Sequence, residues 1–142
     1  MQYSNKSAAR TPIIRRVVFL NKQLATYGRR LPHGRRKNDA VIREEQTVDL
    51  RRCYLYPLLE KAGVLFVYAL RQLKGKDYLK RSMELVEEIQ AQCYLIMELR
   101  GWNERVCAEL DSICDDIAEQ LHAVAAAQKA SVIKSKDENE RV

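Results

Sequence analysis

The stretch 103–124, NERVCAELDSICDDIAEQLHAV, has the most regular apolar spacing in this chain of 142 residues. Its apolar side chains recur every three or four residues, which is the period of one face of an α-helix. These side chains are Val106, Leu110, Ile113, Ile117, Leu121 and Val124. Asn103 stands just before the stretch and is of a residue type preferred at helix N-caps. The sequence therefore predicts an amphipathic helix that begins after Asn103 and buries one face.

Three further stretches, residues 12–28, 40–73 and 79–101, repeat this helical spacing. Within the second of them, Pro57 lacks a backbone N–H and its ring clashes with the preceding helical turn. A kink or a break is therefore expected near Tyr56. The remainder of that helix is apolar around nearly its whole circumference, which is typical of a central helix.

The connections at 74–77 and 101–103 are so short that consecutive helices must run antiparallel. The sequence thus predicts an all-α protein, an up-down-up-down four-helix bundle that covers residues 11–130. Residues 1–10 show no apolar period and are expected to form a flexible basic arm. Residues 131–142 are polar and charged and are expected to form a disordered tail.

Composition agrees with a helical protein and excludes several other classes. The chain has only 5 glycines and 3 prolines, too few for the many tight turns of a β-sandwich or barrel. No uninterrupted apolar run approaches the roughly 18 residues of a membrane-spanning helix, so we expect a cytoplasmic protein without membrane contact. The 4 cysteines show no CxxC spacing and are expected to be reduced core residues.

Charge is distributed unevenly along the chain. Residues 1–82 carry 19 basic and 6 acidic side chains, whereas residues 83–122 carry 2 basic and 10 acidic ones. The densest basic stretch, GRRLPHGRRKN at 28–38, contains two glycines and a proline and is therefore expected to be a loop. Arginine forks match phosphate oxygens in pairs, so this loop predicts contact with a nucleic-acid backbone. The alternative is an ordinary solvated charged surface.

Further basic residues extend the same positive field if the first two helices lie side by side. The predicted nucleic-acid-binding residues are Arg15, Arg16, Lys22, Arg29, Arg30, Arg35, Arg36, Lys37, Arg43, Arg51 and Arg52. Contacts of this kind neutralise phosphates without reading bases, so no sequence specificity is expected.

The sequence predicts no catalytic residue, no metal site and no cofactor. Glu119 and His122 have the spacing of a helical metal-ligand pair, but ferritin-like sites need a second such pair on another helix. The other histidine, His33, lies in the basic loop, and no cysteine has a histidine placed to activate it. Phosphate-binding and nucleophile-elbow glycine motifs do not occur in the sequence.

Residues 12–126 resemble a known group of small helical bundles. The resemblance rests on Leu31-Pro32 at the end of the first helix, on the basic turn that follows, and on the last two helices from KDYLKR at 76–81 to Leu121-His122. This pattern is similar to the S23-type four-helix-bundle superfamily, and within it to the accessory variability determinant (Avd) proteins of diversity-generating retroelements.

The resemblance implies a non-enzymatic partner of a reverse transcriptase. It further implies a ring-like homo-oligomer, a pentamer, whose basic surface contacts template RNA or its cDNA. The alternative is a protein-interaction subunit of a nucleoprotein complex, such as a CRISPR effector or a phage assembly, in which the arginines meet acidic protein.

Overall fold

All regular structure in the described part of the protein is helical. A computed structural model describes residues 5–31 and 49–140 of the chain. The five α-helices are α1 (Asn5–Ala8), α2 (Pro12–Gly28), α3 (Tyr56–Leu73), α4 (Leu79–Glu98) and α5 (Glu104–Glu140), and a π-helical turn, Arg51–Leu55, precedes α3. The predicted all-α class is confirmed for these residues.

Helix α2 begins and ends where the sequence predicts. Pro12 stands in its first turn, where the missing N–H costs no hydrogen bond, and Gly28 is its last residue. The predicted flexible arm is corrected in part, because α1 forms and its Ala8 is fully buried in the core. Thr11 Oγ1 donates a hydrogen bond to Ala8 O at 2.6 Å, which fixes α1 against the start of α2.

Pro57 changes the winding of its helix without breaking it. The N–H of Tyr56 donates to Arg51 O, five residues earlier, which is the hydrogen bond of a π-helical turn. A π-bulge of this kind accommodates the bond that proline cannot make. The expected kink or break is thus a local widening of the helix before α3. Residues 40–48 of the predicted helix lie outside the described residues.

Helix α5 starts at its predicted cap and continues beyond its predicted end. Asn103 Oδ1 accepts a hydrogen bond from the Val106 N–H at 2.9 Å. The helix then extends to Glu140, so the expectation of a disordered tail from residue 131 is wrong for that part. The physical reason is intrinsic propensity: no glycine or proline follows Gly101, and Ala, Gln, Lys and Glu favour helix even on an exposed segment.

One apolar core joins α2, α3, α4 and α5. Its largest fully buried side chains are Ile14, Leu20, Leu24, Leu31, Leu58, Leu65, Ile89, Ile96, Leu110, Ile113, Ile117 and Leu121. Three of the cysteines, Cys93, Cys107 and Cys114, are buried in it as predicted. Cys53 is exposed, because it lies on the outer side of the π-helical turn, and the prediction of a core position is wrong for this residue.

The helical stretch Arg51–Leu73 is the one in the described ranges that is long and apolar enough to cross a membrane, with a mean hydropathy of 1.3. A core helix of a packed protein meets the same criterion of length and composition. Here Leu58, Leu65 and Ala69 lie in the buried stripe, while Val67 is exposed. The exposed positions of the stretch also include the charged residues Arg52, Glu60 and Arg71.

Candidate nucleic-acid interface

Two helix ends and two connections come together at one end of the protein. Trp102 Nε1, in the connection between α4 and α5, donates to Tyr27 O in the last turn of α2 at 3.0 Å. Arg51 Nε, at the start of the π-helical turn, donates to Leu31 O at 2.7 Å. Six arginines from three separate parts of the sequence lie on or beside these helix ends and connections. We call this region the arginine end: Arg29, Arg30, Arg51, Arg52, Arg100 and Arg105.

Arg51 fixes the backbone of the arginine end. Besides its bond to Leu31 O, its Nη2 donates to Arg29 O at 2.6 Å. Both acceptors are carbonyls just after α2, where a helix leaves its last C=O groups without intrahelical partners. Arg51 is half-buried and its guanidinium holds the chain in place, whereas the neighbouring Arg52 is exposed. Arg51 thus positions the backbone at this end of the protein, and its contact with phosphate stays a prediction.

A cleft of about 430 Å³ opens at the arginine end between α2 and α5. Its lining residues are Tyr27, Arg30, Asn103, Arg105, Val106 and Glu109. Arg30 and Arg105 are both exposed, and the Arg30 Cζ lies 5.0 Å from the centroid of the Tyr27 ring. The sequence prediction missed Arg105, which belongs to the acidic part of the chain. The antiparallel order of the helices was the available signal, since it places the start of the fourth helix beside the end of the first.

The carboxylate in this cleft is bound internally. Glu109 accepts hydrogen bonds from Tyr27 Oη and, at 3.3 Å, from Gln23 Nε2. The bond to Glu109 raises the pKa of Tyr27, and burial and the negative charge of Glu109 raise it further. Glu109 therefore holds α5 to α2, and its carboxylate lines the cleft together with the exposed guanidiniums of Arg30 and Arg105.

The exposed face of α2 leads from its first turn to the arginine end. Its members are Arg15, Phe19, Lys22, Thr26 and Arg29, all exposed and spaced alternately by four and three residues. We call this face the α2 stripe. It is about 21 Å long at the α-helical rise, and α2 contains no acidic residue. Within the described ranges, neither Arg15, Lys22 nor Arg29 forms an ion pair.

Arg16, one of the predicted binding residues, forms an ion pair within the chain. Its Nε lies 2.7 Å from Asp116 Oδ2 on α5, and its Cζ lies 5.1 Å from the Phe19 ring centroid. The charge of Arg16 is therefore paired within the chain, in contrast to that of its exposed neighbour Arg15.

Four of the predicted binding residues, Arg35, Arg36, Lys37 and Arg43, lie outside the described residues. The described residues nearest to them in sequence are at the arginine end. A Cβ atom added to Gly101 would lie 2.8 Å from Leu31 Cδ2 and 2.9 Å from Leu50 Cδ1, so Leu31 and Leu50 both pack against the connection between α4 and α5.

The described residues contain no group of three or more His, Cys, Asp or Glu side chains placed to hold a metal ion. Burial raises the pKa of the Cys93 thiol, and it raises that of Cys114 to about 12. These thiols are therefore protonated at neutral pH, and a protonated thiol is a poor nucleophile.

The arrangement at this end of the protein offers exposed guanidinium and ammonium groups on a rigid helical face, which is a surface suited to binding phosphates. No protein-family model, no curated protein and no solved structure matches the chain.

Proposed function

We propose that the protein is a non-enzymatic accessory protein that binds the backbone of RNA or DNA through the α2 stripe and the arginine end. The observation that carries this proposal is the α2 stripe, in which Arg15, Lys22 and Arg29 are exposed on one helix face without a carboxylate partner among the described residues. The stripe leads directly to Arg30 and Arg105 at the cleft, so the positive surface continues from one helix to another.

Binding of this kind depends on the release of counterions. Each phosphate that a cation neutralises lowers the slope of log affinity against log salt by about 0.7 for a single strand and about 0.9 for a duplex. Because contacts to phosphates carry no sequence information, affinity should depend on length and charge rather than on sequence. Phe19 is partly exposed within the stripe, and the Arg16 guanidinium lies over its ring.

The proposed scaffold is an up-down-up-down four-helix bundle of α2, α3, α4 and α5. Two sets of hydrogen bonds support it at opposite ends of the helices. Trp102 binds Tyr27 at the arginine end, and Gln72 Nε2, near the end of α3, binds Gln128 Oε1 of α5 at 2.8 Å. With this alternation, α2 and α4 run in one direction and α3 and α5 in the other.

The resemblance to Avd proteins supports a reverse transcriptase as the partner and a ring-like homo-oligomer, a pentamer, as the assembly. In a head-to-tail ring, the exposed carboxylates Glu84 and Glu87 on α4 would meet basic residues of a neighbouring copy outside the α2 stripe, which leaves the stripe for nucleic acid. Sedimentation of the purified protein tests the number of subunits, and co-expression with a reverse transcriptase encoded beside its gene tests the partner.

A salt titration tests nucleic-acid binding itself. The probe is a fluorescent single-stranded oligouridine, and the binding variant carries Arg15→Gln, Lys22→Gln and Arg29→Gln. Three lost phosphate contacts should reduce the magnitude of the log–log salt slope by about 2. Glutamine keeps a good helix propensity at these positions, so the helical circular dichroism should be unchanged.

The matched control carries Lys129→Gln, Lys134→Gln and Lys136→Gln on the exposed final part of α5, which removes the same charge. The proposal predicts a control slope close to that of the unmodified protein. Equal losses in both variants would show that only net charge matters and would reject the stripe. Absence of binding to oligouridine, together with binding to polyglutamate, would favour the protein-interaction alternative.

A further inference from the structure

A second concentration of positive charge lies at the other end of the helices, in the connection between α3 and α4. The segment 71–81 carries five cations and a single acid, Asp77. We call these cations the α3–α4 basic turn: Arg71, Lys74, Lys76, Lys80 and Arg81. Lys74 is half-buried and the other four are exposed. None of the five pairs with a carboxylate in the part of the chain that the structure describes.

The backbone of this turn is held rigidly. Gly75 has a φ of 90°, a left-handed conformation that favours glycine, and it lets the Lys76 N–H donate to Arg71 O at 3.1 Å. The side chain of Gln72 is buried and its Oε1 accepts the Tyr78 N–H at 2.7 Å. Gln128 Nε2 of α5 in turn donates to Gln72 O at 2.7 Å. The turn is therefore fixed both to its own helix and to α5.

Tyr78 organises the two arginines of the turn. The Cζ atoms of Arg71 and Arg81 each lie 5.3 Å from the centroid of its ring, and Arg71 Nη1 donates to Tyr78 Oη at 3.2 Å. The Tyr68 ring packs on the same side chain, with its centroid 5.0 Å away. Guanidiniums placed on an aromatic ring lose less conformational freedom when they bind a ligand. Because these contacts occupy the Tyr78 ring, the turn is suited to phosphates rather than to stacked bases.

We propose that the α3–α4 basic turn is a second phosphate-binding surface, which contacts the sugar-phosphate backbone of the same single-stranded RNA that the α2 stripe binds. The inference rests on the nucleic-acid binding proposed above. Arg71 and Arg81 provide planar forks that can bind phosphate oxygens in pairs, and the three lysines provide point charges around them.

The arginine end, where the α2 stripe finishes at Arg29, and the α3–α4 basic turn are far enough apart to engage one strand at separate places. Helix α3 has 18 residues and connects the arginine end to the basic turn. At the α-helical rise this separation is about 27 Å. A strand bound at both surfaces gains affinity because the second contact forms at a high effective concentration.

The test uses the full-length protein, the oligouridine probe and a turn variant with Lys74→Gln, Lys76→Gln and Lys80→Gln. These substitutions leave Tyr78 and both arginines in place. Loss of three phosphate contacts should reduce the magnitude of the salt slope by about 2 and lower the affinity about a hundredfold at a salt concentration of about 0.1 M. The variant with Lys129, Lys134 and Lys136 changed to Gln is again the control of equal charge.

Each outcome separates the two proposals. If the turn variant behaves as the control does while the α2 stripe variant loses binding, the second surface is rejected and the proposed function stands. If the turn variant loses binding and the stripe variant does not, the turn is supported and the α2 stripe is rejected. If the unmodified protein does not bind oligouridine, both proposals are rejected. Circular dichroism and the denaturation midpoint of the turn variant should match those of the control. If the turn variant is unfolded, a variant with only Lys76→Gln and Lys80→Gln takes its place. Its salt slope should be smaller in magnitude by about 1.4.

Discussion

Trp102 donates its indole N–H to the carbonyl oxygen of Tyr27, and this single bond of 3.0 Å joins the connection between α4 and α5 to the last turn of α2. Trp102 is 5% exposed, and Tyr27 is half-buried. The bond brings Arg105 beside Arg30 at the same cleft, although the two residues are distant in sequence.

Replacement of Trp102 by Phe should lower the free energy of unfolding by about 1–3 kcal/mol, because it removes the hydrogen bond to Tyr27 O and leaves part of the indole volume empty. Chemical denaturation measures this change, provided that the dependence of the unfolding free energy on denaturant concentration is the same for both proteins. Tyr94→Phe is the control, since Tyr94 is 56% exposed and its substitution should change stability by less than about 0.5 kcal/mol. Equal midpoints for the two variants would contradict the structural role of the indole.

Two glycines should respond in opposite directions to alanine. A Cβ at Gly101 would lie 2.8 Å from Ile96 Cγ2 and from Leu31 Cδ2, so Gly101→Ala should destabilise the protein by about 1–3 kcal/mol through overpacking. At Gly63, inside α3, a Cβ would meet nothing within 4 Å. Gly63→Ala should therefore stabilise the protein by about 0.5–1 kcal/mol, because alanine is favoured over glycine in the interior of a helix. Thermal unfolding of the pair checks both signs, and a destabilised Gly63→Ala protein would refute this account of α3.

Release of Arg16 should strengthen RNA binding. In Asp116→Asn the ion pair with Arg16 is lost, and the guanidinium becomes available beside the α2 stripe. We expect the salt slope for single-stranded RNA to steepen by about 0.7 and the affinity to rise about fivefold near 0.1 M salt. Stability should fall by no more than about 1 kcal/mol, because both side chains are partly exposed. Glu119→Gln, an exposed charge change on the same helix, is the control, and an equal gain there would show a general effect of charge.

Thiol labelling should distinguish Cys53 from the other cysteines. Cys53 is exposed, while Cys93, Cys107 and Cys114 are buried and burial raises the pKa of each of the three. Since the thiolate is the reactive form, Ellman's reagent at pH about 7.5 should modify Cys53 rapidly and the others only after unfolding. Peptide mapping by mass spectrometry identifies the site. Rapid modification of Cys114 in the folded protein would contradict the packing of α5.

The ends of the helices could be predicted where residues of the same turn determine them. Pro12 and Gly28 bound α2, and Asn103 caps α5, because each acts on the backbone of its own turn. The continuation of α5 to Glu140 could not be read from apolar spacing, since spacing reports only on faces that are buried. In that segment propensity alone decides the outcome.

The site was predicted in part, for a related reason. The α2 stripe follows from the helical period of Arg15, Lys22 and Arg29, which a sequence displays directly. The pairing of Arg16 with Asp116 and the bonds of Arg51 to the carbonyls after α2 depend on contacts between helices. No single stretch of sequence contains that information, so the sequence could not show that Arg16 pairs with a carboxylate or that Arg51 binds two backbone carbonyls.

The π-helical turn before Pro57 determines which way the arginine end faces. An α-helix turns by about 100° for each residue, and a π-helical turn holds one residue more than an α-helical turn. Deletion of one residue from Arg51–Leu55 would restore α-helical winding and rotate the preceding chain by about 100° relative to the buried stripe of α3. The guanidinium of Arg51 would then point away from Leu31 and Arg29. The one additional residue of the π-helical turn thus sets the rotation of the arginine end relative to the buried face of α3.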